Sequence, residues 1–500
     1  MKTSAQGSVI SLFLLGFGYV VVFMLTNSAK DLWLDEIFTL YQVLGHDPGS
    51  LGQSFLAGVN NLPPGYFILL WMECGILGET PFALRLPSLL CALVSIVFTY
   101  RLLRLFFGHA TSSVTVLTLF CFSAELHQQT VEARPYSMYF MLSVLAAYTA
   151  CRLMRDEHCS GRLLVAVGVL AFLLPFTHYY GGIYSAVLLG TVVVMDRKAG
   201  RWRWRVYLSH LGGWVVFCLL GFAVFLAQMA LVQVRTDAGL LGYSNHIGKL
   251  FGLYANFMLF PIPLLVFLVF PVMFPIGQAG MERGRRTFAG MSGVLLAMSG
   301  WLLVPALLIL LAKLELLEVA AQVKYFLPTS LSLAFFLACG VDYFLGQGED
   351  EVRDSRGRYV LAYSLVCLGF LLLNTLRFNK AFRGIGLPAY YAAVIEGGKP
   401  VFVNDNTTYY HLSYFGRGME VYKVTDDASY VSHVRQFSGN LKCFNYKEGP
   451  PRVPELLYII PDRPEPEDQR FMDLLKATYS MTSSKGLEGH MVYTFTAKKS

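Results

Sequence analysis

The chain has 500 residues, 55% of them hydrophobic and 15% charged, with a formal net charge of +7. A mean hydropathy of +0.50 is too apolar for a soluble globular protein of this length. The nine cysteines form neither a CxxC pair nor a Cys/His cluster with metal spacing, which argues against a disulfide framework and a zinc module.

The first apolar run, residues 8–27, is about twenty residues long and has no small-residue cleavage site, so it is expected to be a retained first span. Further apolar runs follow at roughly 82–100, 110–124, 137–151, 163–177, 180–195, 207–231, 251–275, 290–312, 325–345 and 359–375. They predict a mainly α, polytopic transmembrane bundle of about eleven spans, because only helices and closed barrels satisfy the backbone in lipid.

Lys and Arg placement orients the bundle. With the N-terminus inside, the inner loops hold Arg101 and Arg104; Arg152, Arg155 and Arg162; Arg197, Lys198, Arg201, Arg203 and Arg205; Arg283, Arg285 and Arg286; and Arg353, Arg356 and Arg358. The outer loops and their edges hold fewer: Lys30, Arg85, Arg134, Arg235, Lys249, Lys313 and Lys324. The run RKAGRWRWR is then a membrane-surface patch on the cytoplasmic side, and no nucleic-acid partner is expected. The long first outer loop, residues 28–80, contains Asp35–Leu44 and Pro64–Leu70, which suit short interfacial helices. After about residue 376 the character changes. VFVNDN, ELLYIIPD and MVYTFTA suit short strands. These divide the chain into a transmembrane domain over 1–380 and a small extracytoplasmic α/β domain over 390–500.

Polar residues collect on the expected outer side. The segment Asp31-Leu-Trp-Leu-Asp35-Glu36 follows the first span. Adjacent carboxylates there are costly unless used or solvated, although acids at a helix N-terminus also complement its dipole. Asn60-Asn-Leu-Pro-Pro64-Gly-Tyr66 signals shape, since paired prolines end an extended segment and start a helix. Arg85 lies in ALRLPS, where it can anchor to headgroups or bind a phosphate. Between the third and fourth spans comes Glu125-Leu-His127-Gln-Gln-Thr-Val-Glu132-Ala-Arg134-Pro135-Tyr136. Thr177-His178-Tyr179-Tyr180-Gly-Gly ends the fifth span, and Lys324-Tyr325-Phe-Leu-Pro328 opens the tenth. A lone His or Tyr at an interface is usually an anchor; here acids, cations and paired tyrosines gather on one face.

Taken in order, WLDE, PPGYF, RLPS, EARPY, THYYGG and KYFLP resemble the membrane glycosyltransferases of GT-C fold. Within these the chain is similar to the protein O-mannosyltransferase and aminoarabinose-transferase superfamily, over about residues 1–345. The resemblance implies a polyprenyl-phosphate-linked sugar donor and transfer with inversion, at the outer face of a bacterial cytoplasmic membrane. The acceptor is then a protein, lipid A or another glycan or lipid. It implies Asp35 as the catalytic carboxylate with Glu36 beside it. It places Arg134 on the donor phosphate, with Lys324 and Arg85 as further candidates, and His178, Tyr179, Tyr136, Tyr66 and Tyr325 around the substrate.

The pattern departs at Leu62, where relatives often carry an acid, His or Lys before the Pro-Pro pair. A divalent metal is compatible with the chemistry, and Asp35 is a candidate ligand, but no ligand set is visible. A carboxylate suits a base at the acceptor, and a planar Arg fork suits a departing phosphate. The rival reading is a transporter or flippase of lipid-linked intermediates. Such proteins place polar groups near the midplane, often within internal repeats, and no repeat is apparent here.

Overall fold

A computed structural model describes residues 2–44, 48–56, 62–156, 161–200, 291–313, 323–345, 352–382, 398–415, 419–426, 431, 434, 441–461, 464, 466–487 and 490–498. The predicted spans at 207–231 and 251–275 lie outside the described residues. The other nine fall on helices: α1 (Lys2–Ala29), α5 (Pro81–Arg104), α6 (His109–Phe122), α8 (Tyr136–Arg155), α9 (Gly161–Thr177), α10 (Gly181–Lys198), α11 (Ser292–Lys313), α12 (Leu327–Leu345) and α13 (Val352–Phe382). Between α1 and α5 stand three further helices, α2 (Leu34–Val43), α3 (Pro48–Leu56) and α4 (Gly65–Leu77). A short α7 (Ala124–Thr130) joins α6 to α8.

Among the described residues, Gln6–Ala29, Pro81–Arg104, Tyr136–Arg155 and Val323–Asp342 are long and apolar enough to cross a membrane, and several shorter apolar helices accompany them. The chain is a multi-pass membrane protein. Its exposed apolar side chains, among them Phe13, Phe17, Leu303, Leu310, Leu373 and Leu376, suit a lipid-facing surface. Inside the bundle α1 packs on α13 and α6, and α5 packs on α8. Some polar side chains buried there are paired across helices: the Tyr19 hydroxyl donates to the Phe120 carbonyl at 2.7 Å, and Thr118 meets the Tyr363 hydroxyl at 2.8 Å. Buried hydroxyls without such partners would each cost roughly 1–3 kcal/mol.

The strand region forms a six-stranded sheet in the order β3-β2-β1-β4-β6-β5. Its strands are β1 (Val401–Val403), β2 (Val421–Thr425), β3 (Lys442–Asn445), β4 (Glu455–Pro461), β5 (Tyr479–Leu487) and β6 (His490–Ala497). The first four are parallel; β6 and β5 add antiparallel. Sequence patterning anticipates β1, β4 and β6. It passes over β2, β3 and β5, where YKVT, KCFN and YSMTSSKG carry too few apolar residues to stand out.

At β1 and β4 the sheet is buried on both faces, which is why these two strands are near-continuous apolar runs. Phe402, Leu456 and Tyr458 pack toward Phe471 and Leu475 of α15 (Pro466–Thr478). Val401, Val403, Leu457 and Ile459 face the other way. There they share one core with Tyr409 and Tyr410 of α14 (Asn406–Phe415) and with Ile37, Leu40, Tyr66 and Phe67 of the first long loop. Tyr410 stands edge-on to Phe38 at 4.5 Å between ring centres. The sheet is therefore seated on α2 and α4, at the same end of the bundle as the first turn of α5.

Candidate active site

Asp35 and Glu36 sit in the first turn of α2, and the helix sends them in different directions, since adjacent side chains diverge by about 100°. Glu36 turns into the protein and is wholly buried. Its carboxylate accepts from the Trp33 N–H at 3.2 Å, the reach-back half of a capping box, and from the Ala133 N–H at 2.9 Å. Arg85 meets it as a fork, Nε on Oε1 at 2.7 Å and Nη2 on Oε2 at 2.8 Å. The remaining Arg85 donors go to Asn27 Oδ1 at 3.2 Å, the Lys30 carbonyl at 2.9 Å and the Asp31 carbonyl at 2.9 Å. A guanidinium has five N–H donors, and all five are engaged, so Arg85 keeps none for a phosphate. Burial pushes the Glu36 carboxyl up, but Lys30 and Arg85 together hold it below the usual carboxylate range.

Asp35 turns outward. Its side chain keeps 26% of its surface, against 16% for Lys324 and 7% for Arg134, and those two cations meet it. Lys324 Nζ lies 3.3 Å from Oδ2 and Arg134 Nη2 lies 3.7 Å from the same oxygen. Arg134 also donates to the Asp35 carbonyl at 3.1 Å and to Thr39 Oγ1 at 3.3 Å. Arg134 is presented by the tight turn between α7 and α8, where its N–H bonds the Glu132 carbonyl and Pro135 opens the next helix. Lys324 comes from a 3₁₀ turn, Val323–Phe326, that leads into α12. Two cations thus flank one partly open carboxylate, an arrangement that can bind an anion beside a base.

An aromatic wall backs the cations. Lys324 Nζ lies 5.1 Å from the Tyr136 ring centre, 5.7 Å from Trp33 and 5.9 Å from Tyr325. His178 stacks on Tyr139 at 4.9 Å and stands 5.1 Å from Tyr325 and 5.8 Å from Tyr136. Burial, then Lys324 and Arg134, push the His178 imidazole down to about 3, so it is uncharged at neutral pH. Its turn is tight by construction: a Cβ on Gly181 would stand 2.4 Å from the Leu174 carbonyl oxygen. Likewise a Cβ on Gly65 would lie 2.7 Å from the Phe176 carbonyl oxygen, so PPGY brings α4 against the end of α9 where a larger residue would not fit.

Known proteins match at two levels. The family model for dolichyl-phosphate-mannose-protein mannosyltransferases matches residues 61–227, a stretch that holds Arg85, Arg134 and His178 but not Asp35 or Lys324. Among solved structures, apo ArnT from Cupriavidus metallidurans aligns with a TM-score of 0.58 at 14% identity, covering 98% of each chain. The same protein bound to undecaprenyl phosphate aligns with a TM-score of 0.55 at 14% identity, covering 96% of this chain and 97% of that one. Comparison with curated protein sequences finds no match. The fold is that of the GT-C membrane glycosyltransferases.

Within this GT-C fold the residues singled out in the sequence divide into groups. Asp35, Arg134, Lys324, Tyr136, Tyr325 and His178 come together. Glu36 and Arg85 form a buried pair with each other. Tyr66 is wholly buried in the core that α2 and α4 share with the sheet. Tyr179 is half-buried; it is the neighbouring Tyr180 whose ring stands 5.4 Å from His178 and 5.9 Å from Tyr325.

Sequence reasoning gave no role to Lys30, Trp33, Glu125 or Glu132. Lys30 Nζ bridges Glu36 at 3.8 Å and Glu132 at 3.4 Å. Burial is the main cause that raises the Glu125 and Glu132 carboxyls above their ordinary range, and Lys324 works against it at both. The signal for them was the spacing Glu125-x6-Glu132 directly before Ala133-Arg134, which says nothing about burial until α7 is folded.

The donor set does not suit a divalent ion. Asp35 Oδ2 already faces two cations, and among the described residues no three His, Cys, Asp or Glu side chains gather.

Proposed function

We propose that this protein is an inverting glycosyltransferase that moves a sugar from a polyprenyl-phosphate donor to an acceptor on the outer face of a bacterial cytoplasmic membrane. The observation that carries this reading is the partly open Asp35 carboxylate between Lys324 and Arg134. In this reading Asp35 takes the proton from the acceptor's attacking group as that group bonds to the anomeric carbon. The bond from the anomeric carbon to the phosphate oxygen breaks, and its electron pair leaves with the polyprenyl phosphate. Lys324 and Arg134 transfer their charge from Asp35 to the departing phosphate, where a guanidinium fork matches two oxygens.

Support also comes from the family model and from the fold shared with a protein seen with undecaprenyl phosphate. The Glu36–Arg85 pair is assigned to holding α2 in place, and the acceptor class is left as protein, lipid A or another glycan or lipid. The sheet region, residues 390–500, is assigned to the outer side with the N-terminus inside, on the Lys and Arg asymmetry of the loops.

The test uses purified full-length protein, a polyprenyl-phosphate sugar and a membrane acceptor pool. Asp35→Asn should keep its fold and its donor binding and lose about 10²–10⁴-fold in turnover, the range for a general base. Wild-type turnover by that variant would sink the mechanism. Failure of the wild type to cleave any such donor would favour transport of lipid-linked intermediates instead.

A further inference from the structure

At the far end of the bundle from Asp35 lies a second basic site. Arg85 is near the start of α5 and Arg104 is its last residue. Nineteen residues at about 1.5 Å of rise put the two roughly 28 Å apart, about the thickness of a bilayer's hydrocarbon core. Beside Arg104 the last turn of α8 carries Arg152 and Arg155. These three, with Leu105, Asp156 and Leu163, line a shallow, open cavity of about 480 Å³ at the protein surface, where Arg152 and Arg155 are exposed. Its lining holds three guanidinium groups and one carboxylate.

Cations at the ends of α5 and α8 have an ordinary explanation, since a helix C-terminus favours positive charge. That explanation does not account for the cavity or for how the guanidinium groups are held. Arg155 lies over the Phe106 ring at 5.3 Å and donates to the Leu105 carbonyl, while Arg152 lies over Tyr148 at 5.9 Å. Arg104 donates to the Phe107 carbonyl. The exposed side chains of Arg152 and Arg155 thus lie alongside aromatic rings. The walls mix guanidinium groups with leucine.

We propose that this cavity binds the phosphate headgroup of an anionic phospholipid in the leaflet opposite the Asp35 site. The chemistry it recognises is a phosphodiester: guanidinium forks for the oxygens, and Leu105 and Leu163 for the glycerol and first acyl carbons. Basic pockets between transmembrane helices at this level take such headgroups. A soluble phosphate shares the charge but not the apolar portion, and it would have no reason to prefer a cavity at the membrane boundary.

The experiment uses full-length protein in nanodiscs of phosphatidylglycerol or phosphatidylcholine, transferred to detergent and read by native mass spectrometry. Wild type should retain phosphatidylglycerol and no phosphatidylcholine. Arg152→Gln/Arg155→Gln should retain about tenfold less, the size of effect expected from lost charge-assisted hydrogen bonds. Arg101→Gln, one turn away and outside the cavity, should match wild type. If the glutamine variant fails to fold, Arg152→Lys/Arg155→Lys keeps the charge and should still show reduced retention, because lysine lacks the fork. Equal retention by wild type and a folded cavity variant would overturn the site. Stabilisation of delipidated protein by millimolar inorganic phosphate, with no phosphatidylglycerol retained, would overturn the lipid assignment.

Discussion

Lys324 brings its Nζ to 3.3 Å from Asp35 Oδ2, across 289 residues of chain. The contact draws the start of α12 to the first turn of α2, and it sets a cation next to the proposed base. Lys324→Gln keeps a hydrogen-bond donor but removes the charge that would pass to the phosphate. Turnover should fall by about 10²-fold or more, the loss typical when one donor to a developing anion is removed. A variant with unchanged turnover would assign Lys324 to anchoring the turn.

Arg134 makes the second contact to Asp35 and is held by its own backbone turn. Arg134→Lys keeps a charge but loses the planar fork, so it should weaken donor use by roughly tenfold. Arg134→Ala should cost about 10²–10³-fold. Single-turnover kinetics at several donor concentrations separates binding from chemistry. Normal donor turnover by the alanine variant would remove Arg134 from the phosphate.

Glu36 should matter to stability before it matters to chemistry. Glu36→Gln leaves the buried Arg85 guanidinium without its countercharge, and removing one partner of such a pair costs about 3–5 kcal/mol. The expected result is a large drop in melting temperature and poor yield. The wild-type pair has a pH signature as well. Because its folded-state carboxyl sits below the ordinary range, its contribution is present above the unfolded-state value of about 4.3 and is lost as pH falls through the lower folded value. Wild-type melting in Glu36→Gln, with turnover abolished, would return Glu36 to the reaction.

Tyr410 of α14 links the sheet region to α2, the helix that carries Asp35, through Phe38 at 4.5 Å and Tyr41 at 6.3 Å. Tyr410→Ala empties a buried site, at a cost of about 3–5 kcal/mol. It should lower both melting temperature and turnover, since α2 loses the surface it rests on. Tyr410→Phe keeps the ring contacts and should keep most of both. Full turnover by Tyr410→Ala would mean that the sheet does not position Asp35.

The spans of the bundle were legible in the sequence because crossing a bilayer demands length and apolarity, and both are local properties. Nine predicted runs fall on helices for that reason. The motifs that carry the candidate site were legible too: charged and aromatic side chains at span ends are expensive, and WLDE, EARPY and KYFLP stand out against apolar surroundings. The resemblance put Asp35 ahead of Glu36, but what each carboxylate pairs with was not legible. The two residues are adjacent and chemically alike, and only the packed structure turns one toward Arg85 and the other toward Lys324. Arg85 itself read as a headgroup anchor or a phosphate ligand until the fold surrounded it with five acceptors. Lys30 and Glu132, 102 residues apart, became partners only through the docking of the α7–α8 turn on α2. Long-range pairing of this kind depends on how whole helices cross and seat, and local sequence does not encode that geometry.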